Sequence, residues 1–283
     1  MMNHLFRTAL LAMLTLALLP VSAQNDANQV FNVSIGELSY TSKQPETVTG
    51  AVAGAVLSVL TKQHTQDQPG YADAIRAEIV KSLGRVRRFA VTDGTQVAPG
   101  QSTAILIDGV IGNISTTTRI GDKDRSTEYK AEVLLTLNIK DAATGQVYDS
   151  HTFTSDEYST SWLGSTDNAM RNTISSLGNY ITRYYNRAYP NTARILERGD
   201  EKKDKTKQVY IDLGRKHNIY SGIHFTVYVI GSVAGRDTQT EIAKLKVDKV
   251  EGDDISLCKV QSGGKNIKAA LDGHKKMLIQ STD

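Results

Sequence analysis

Residues 103–154 read as one continuous meander of strands, and no other stretch of the chain constrains the fold as strongly. Thr103–Thr118 is a long strand region. Its unbroken apolar section Ala104–Ile107 predicts burial on both faces, and Asp108-Gly109 predicts a bend or bulge rather than an end. The polar turn Gly121-Asp122-Lys123-Asp124 returns the chain into a second strand, Thr127–Lys140. Asp141-Ala-Ala-Thr-Gly145 then makes a hairpin loop in which Gly145 can take a left-handed position, and Gln146–Thr154 completes the third strand.

Two helices belong with this sheet. Tyr71, Ala72, Ile75, Ile79, Val80 and Leu83 recur at helical spacing, and Gly84 supplies a C-cap. Arg85, Arg87 and Arg88 follow, and are expected to form a solvated turn near the negative end of the helix rather than a phosphate site. The stronger helix begins at Ser165 or Thr166, carries Ala169, Met170, Thr173, Ile174, Leu177, Ile181 and Tyr184 on one face, and stops at Pro190. Tyr180, Tyr184 and Tyr185 are read as packing. Phe31, Val33 and Ile35 alternate with polar residues as a half-buried strand, and Phe89–Thr92 is a short strand closed by Asp93-Gly94. Thr41–Gly50 reads as a loop and Ala51–Leu60 as a short buried helix, which Gln63–Gly70 breaks.

Arg198-Gly-Asp-Glu-Lys-Lys-Asp-Lys-Thr-Lys207 has no apolar anchor and is expected to be a linker. Beyond it come short strands punctuated by glycine: Val209–Leu213, Phe225–Ile230, Glu241–Val250, Asp254–Val260 and Lys276–Gln280. Strand–turn spacing without helices predicts a small barrel or open sandwich. The fold class is therefore α/β (α+β), a mixed sheet flanked by helices and followed by a small β-rich domain. The expected division is a leader at 1–23, a mixed α/β domain at 24–197, the charged linker at 198–207 and the β-domain at 208–283.

The leader is a separate object. His4 and Arg7 precede the apolar run Thr8–Leu19, then Pro20 and Val21-Ser22-Ala23, the pattern of a secretory signal peptide cleaved after Ala23. The run is shorter than the roughly 20 apolar residues a spanning helix needs, and no cysteine near the cleavage point could carry a lipid. The processed protein is expected to be exported and periplasmic, neither lipid-anchored nor integral to the membrane. The chain holds 33 Lys+Arg against 30 Asp+Glu, a net charge of +3 in 283 residues, so nucleic acid is not an expected partner. Its single cysteine, Cys258, excludes a disulfide framework and multi-cysteine metal sites, and is read as core filler.

No motif carries catalysis. The sequence has no G-x-S-x-G, H-E-x-x-H, Walker loop or G-x-G-x-x-G, and Gly263-Gly264-Lys265 is read as a turn. His64, His151, His217, His224 and His274 form no i, i+4 pair. Asp122, Asp124, Asp253 and Asp254 sit in turns, where aspartate is favoured for local hydrogen bonding. Catalytic, cofactor-binding and metal residues are accordingly expected to be none, with no cofactor.

Four ordered pieces carry a resemblance over about residues 29–190. They are Phe31-Asn-Val-Ser-Ile35, Ser82-Leu-Gly-Arg-Val-Arg-Arg88 with Phe89-Ala-Val-Thr-Asp93, Ala104-Ile-Leu-Ile-Asp-Gly-Val-Ile-Gly112, and Leu135-Thr-Leu-Asn-Ile-Lys-Asp-Ala-Ala-Thr-Gly-Gln-Val147. Together they resemble the curli secretion-channel (CsgG-like) family, whose core fold is shared with the lipoprotein (LpoB-like) activators of penicillin-binding proteins. Gly214-Arg-Lys-His-Asn-Ile-Tyr-Ser-Gly222 before Phe225-Thr-Val-Tyr-Val229 is similar to the closing β-domain of FlgT-like flagellar proteins. The resemblance implies binding and assembly rather than catalysis. Pore-forming members extend two hairpins into a membrane barrel; here the equivalents, Ser115–Thr127 and Ser150–Asp167, are charged or hydroxylic, and several charges at bilayer depth would cost about 2–4 kcal/mol each. The expected function is that of a non-enzymatic envelope protein of curli-assembly type, binding other envelope proteins or forming a homo-oligomer. The alternatives are a regulator of a cell-wall synthase, and an exported hydrolase in which His151, His217 or His224 meets an acid and a hydroxyl between the two domains.

Overall fold

The computed structural model describes residues 28–41, 64–93, 104–121, 126–158 and 160–282. The predicted leader, the predicted helix at 51–60 and residues 122–124 of the predicted polar turn lie outside them. The first sheet contains β1 (Phe31–Tyr40), β2 (His64–Asp67), β3 (Phe89–Asp93), β4 (Ala104–Ile120), β5 (Thr127–Asp141) and β6 (Val147–Phe153). Its order is β3-β1-β4-β5-β6, with β2 beside the far half of β4. β1 runs parallel to both β3 and β4, whereas β4, β5 and β6 are antiparallel, so the sheet is mixed. Residues 64–67, expected to be a break, pair with Ser115–Thr118; four polar residues show no apolar alternation, so only the neighbouring strand reveals them.

Helices α1 (Ala72–Leu83) and α2 (Thr166–Ala188) cover one face. Val33 and Ile35 of β1, Ile105, Ile107, Ile111 and Ile114 of β4, and Val133, Leu135, Leu137 and Ile139 of β5 join Ile75, Ile79, Leu83, Met170, Leu177, Ile181 and Tyr185 in one core. The opposite face leaves Val110 and Leu134 exposed. Ser165 caps α2 by accepting the N–H of Asn168 at 3.2 Å.

Beside Asp108-Gly109 the pairing with β1 does shift register, the extra residue lying on β1 between Ile35 and Leu38; the irregularity within β4 itself lies at Gly112, between Ile111 and Asn113. An extra residue reverses the side-chain alternation, which lets Ile111 and Ile114, three apart, both enter the core. Gly109 is needed for a different reason: a Cβ there would lie 2.2 Å from the Thr136 carbonyl oxygen on β5. Ala104–Ile107 is not buried on both faces; Ile105 and Ile107 are buried while Ala104 and Leu106 are half-buried, because helices line only one side. Gly145 takes φ 71°, as the hairpin requires.

The second sheet contains β7 (Thr192–Ala193), β8 (Ile195–Arg198), β11 (Gln208–Ile211), β12 (His224–Val233), β13 (Arg236–Val250), β14 (Ser256–Ser262) and β15 (Met277–Ser281). All its pairings are antiparallel, in the order β7-β15-β12-β13-β14-β11-β8. Its two edges, β7 and β8, are separated in the chain by Arg194 alone. One short segment can serve both edges only if the sheet curls until they meet, so the sheet is a nearly closed barrel. Val209, Ile211, Phe225, Val227, Leu245, Val247, Cys258 and Ile279 fill it.

Two expectations are corrected here. Residues 198–207 are structured rather than a linker: β9 (Glu201–Lys202) and β10 (Lys205–Thr206) form a hairpin, and the second sheet already starts at Thr192. The region also contains a helix, α3 (Gly264–Asp272), which begins where a turn was expected. The charged run is held by charges distant in sequence: Arg198 pairs with Asp272, and Lys268 with Glu201 at 3.3 Å. Only Ile267 and Ala270 of α3 are buried, too few for a periodic signal.

Candidate functional site

The Arg85–Arg88 run builds a joint between the two sheets. The turn after α1 is tight, with Val86 N–H donating to Leu83 O at 3.0 Å and Phe89 N–H to Val86 O at 3.0 Å. Val86 plugs into the core, and Arg87 is turned inward until it is 5% exposed. Its Nε donates to Asn191 Oδ1 at 3.3 Å, just before edge strand β7 of the barrel, and its Nη2 to Ser281 Oγ at 3.1 Å, on the neighbouring β15. Its own N–H donates to Asn186 Oδ1 at 3.1 Å, and its carbonyl accepts from Asn218 Nδ2 at 2.7 Å. Asn28 adds a second link, exchanging two hydrogen bonds of 2.7 Å with the backbone of Thr192. Arg88 donates to Gln29 O at 3.2 and 3.1 Å and lies over the Phe31 ring at 4.9 Å. The expected solvated turn is therefore corrected for Arg87 and Arg88. A buried guanidinium needs its donors satisfied, and the partners come from the far sheet, beyond the reach of local pattern.

Beside this joint opens a cleft of about 960 Å³. One wall comes from the first sheet: Arg85 from the turn after α1, Arg183 from α2, and Phe89–Val91 of β3. The other wall is Arg215, Ile219 and Tyr220 of the barrel. A second hollow of about 560 Å³, holding Glu157 and Asn179, shares Arg85, Thr182 and Arg183 with it. Arg85 is held by Glu78 at 3.3 Å and Asn179 at 3.3 Å. Arg183 lies over the Tyr180 ring at 5.6 Å, and Arg215 pairs at 3.4 Å with Asp253, itself well exposed. Tyr220 is 62% exposed at the rim. Arg85 is read from the sequence as part of a solvated turn rather than a phosphate site, and Arg183, Arg215 and Tyr220 carry no site reading there. The available signal was the phase of Arg-Val-Arg-Arg, in which buried Val86 alternates with the arginines.

The histidines do not assemble into one group. His151 Nε2 lies 3.1 Å from Glu157 Oε1, and the Tyr180 hydroxyl donates to that same oxygen at 3.4 Å. The imidazole and the tyrosine hydroxyl thus share one carboxylate oxygen. The His151 ring stacks on Tyr184 at 4.0 Å, and burial pushes the Tyr184 hydroxyl up to about 12. His217 accepts the Gly214 N–H at 3.3 Å in the barrel, and His224 sits on β12. Burial likewise raises the Cys258 thiol to about 12, the condition of an inert core thiol. Among the described residues no group of three or more His, Cys, Asp or Glu could hold a metal ion.

Ser150–Asp167 does not project as a hairpin. The Tyr158 hydroxyl is clamped on the backbone of Val133, accepting its N–H at 2.9 Å and donating to its carbonyl. Leu163 exchanges hydrogen bonds of 2.7 and 2.8 Å with Tyr129 on β5. Trp162 packs under Arg119 at 4.3 Å. No helix among the described residues is long and apolar enough to cross a membrane.

No protein-family model matches the chain, and no curated protein matches it. Among solved structures it is similar to a Xanthomonas campestris protein of the DUF330 family, with 11% identity over 57% of this chain and 83% of that one, at a TM-score of 0.28. It is also similar to a homologue of the neuraminyllactose-binding hemagglutinin from Helicobacter pylori, with 8% identity over 60% of this chain and 93% of that one, at a TM-score of 0.30.

Proposed function

We propose that this chain is an exported, non-enzymatic protein of the cell envelope that acts by holding another envelope protein, and that it is not itself a pore. The observation that carries this reading is the arginine- and tyrosine-lined cleft opening between two sheets that a buried polar joint fixes against each other. A surface set in advance loses little freedom on binding, and Arg and Tyr are the residue types that dominate binding energy in protein interfaces. The curli-assembly resemblance and the secretory leader supply the compartment in this proposal.

The test is affinity capture. The full chain is immobilised, exposed to envelope extract, and its bound proteins are identified by mass spectrometry. The expected result is an envelope protein recovered in independent preparations and displaced by free chain. Failure to recover any reproducible, displaceable partner overturns the proposal. Fractionation checks the compartment: the processed chain should leave the envelope in a high-pH wash, and retention in the membrane would refute that part.

A further inference from the structure

We infer that the cleft takes an extended, acidic segment of the partner protein, which adds as a strand to the outer edge of β3 while its carboxylates meet Arg183 and Arg215. The inference rests on the binding function proposed above and specifies the chemistry of what is bound.

Two independent observations support it. The first is the edge itself. β3 is the end strand of its sheet and pairs only with β1 among the described residues. Phe31 N–H donates to Arg88 O at 2.7 Å, so in this parallel register residues 88, 90 and 92 turn their backbone groups toward β1. Phe89 and Val91 turn theirs outward. The Phe89 N–H is taken by Val86 O, which leaves the Phe89 carbonyl and both polar backbone groups of Val91 facing the open edge of the sheet without a backbone partner among the described residues, beside the cleft that Phe89 and Val91 line. An outward row of that kind is a template for another strand.

The second observation is charge. Four of the fourteen residues lining the wider hollow are arginines and none is acidic. Arg87 is spent on the joint, but Arg183 makes no ion pair among the described residues and lies over the Tyr180 ring. Arg215 shares its charge with an exposed carboxylate, a pairing of little strength in water. The barrel wall offers exposed Tyr220 for a side chain of the added strand. A nucleic acid would satisfy the arginines but has no peptide groups for the β3 edge, and a net charge of only +3 gives no long-range footprint for one.

The probe is a fluorescein-labelled octapeptide of alternating Glu and Val, titrated against the full chain by anisotropy at low salt. Three comparisons accompany it: a Lys-Val octapeptide, the Glu-Val peptide N-methylated at alternate residues, and oligothymidylate. Phosphatidylglycerol vesicles are tested by co-sedimentation. The Glu-Val peptide should bind, weaken as salt rises, and bind at least about tenfold better than the Lys-Val or N-methylated forms. The double variant Arg183→Glu/Arg215→Glu changes solvent-facing charges and should lose about tenfold or more. Val91→Pro removes an outward N–H, which an edge strand tolerates, together with a half-buried side chain packed on the core, and should weaken binding; Val91→Ala, which loses the same packing and keeps the N–H, should bind as the unaltered chain does. No binding of the Glu-Val peptide overturns the inference, as does equal binding by the N-methylated form. Tighter binding of oligothymidylate or vesicles also overturns it. If the double variant still captures the same envelope protein, the cleft assignment fails while the binding function stands; if the unaltered chain captures nothing, both fail.

Discussion

Replacing Arg87 by Ala should sever the joint between the sheets, and the size of the effect follows from the contacts. The side chain is 5% exposed and gives two hydrogen bonds, to Asn191 Oδ1 at 3.3 Å and Ser281 Oγ at 3.1 Å. Bonds from a charged donor contribute about 1.5–3 kcal/mol each. Ser281 Oγ would keep the Asn191 N–H at 3.0 Å, whereas Asn191 Oδ1 would lose its donor inside the seam. The stem of the side chain also leaves a void. Together these put the cost at about 3–5 kcal/mol, a large share of the roughly 5–15 kcal/mol that holds a typical domain folded. Arg85→Ala, at a position where the side chain is 41% exposed, should cost about 1 kcal/mol or less. The assay is urea unfolding followed by two probes. Trp162 is the only tryptophan and reports the first sheet, while far-ultraviolet circular dichroism reports both. The two transitions should coincide in the unaltered chain and separate in Arg87→Ala. Coincident transitions with a loss under about 1 kcal/mol, or an equal loss in Arg85→Ala, would refute the argument.

Other perturbations have expectations of similar definition. Gly109→Ala should lower stability by about 2 kcal/mol or more, read by thermal unfolding, because its Cβ would press on a backbone oxygen at 2.2 Å that cannot swing aside. Tyr158→Phe should cost about 2 kcal/mol in urea, since the Val133 N–H and carbonyl both lose the hydroxyl they share. The Tyr148 hydroxyl and the Thr144 N–H hold the Asp141 carboxyl below its usual range. That stability is complete above the unfolded carboxylate pKa near 4 and is lost as pH falls through the lower folded value; Asp141→Ala should therefore flatten the acid limb of the stability curve. Cys258 should resist a thiol reagent at pH 8 in the native protein and react on unfolding. Its raised pKa makes the linked stability present below about pH 9 and lost as pH rises toward 12. Ready labelling of the folded chain would contradict its placement in the barrel core.

Part of this molecule is written in local pattern. The β4–β5–β6 meander, the left-handed Gly145 and the helix capped by Ser165 are each specified by residues within one or two turns of chain. Apolar alternation and capping chemistry act at that range, and their outcome changes little with what surrounds them. The burial of Cys258 belongs to the same class, because a lone thiol in an apolar alternating run has one comfortable place.

The rest was decided by residues that meet only in three dimensions. Arg87 reads as one of several surface cations until Ser281, 194 positions away, arrives to accept from it. Residues 198–207 read as a linker until α3 brings Asp272 and Lys268 against them. The cleft draws Arg183 from one sheet and Arg215 from the other, and neither has a local signature. The physical division is one of range: hydrogen bonds along the backbone and the period of a buried face are set by neighbours in the chain, whereas a desolvated charge can be placed only once the fold has delivered its partners.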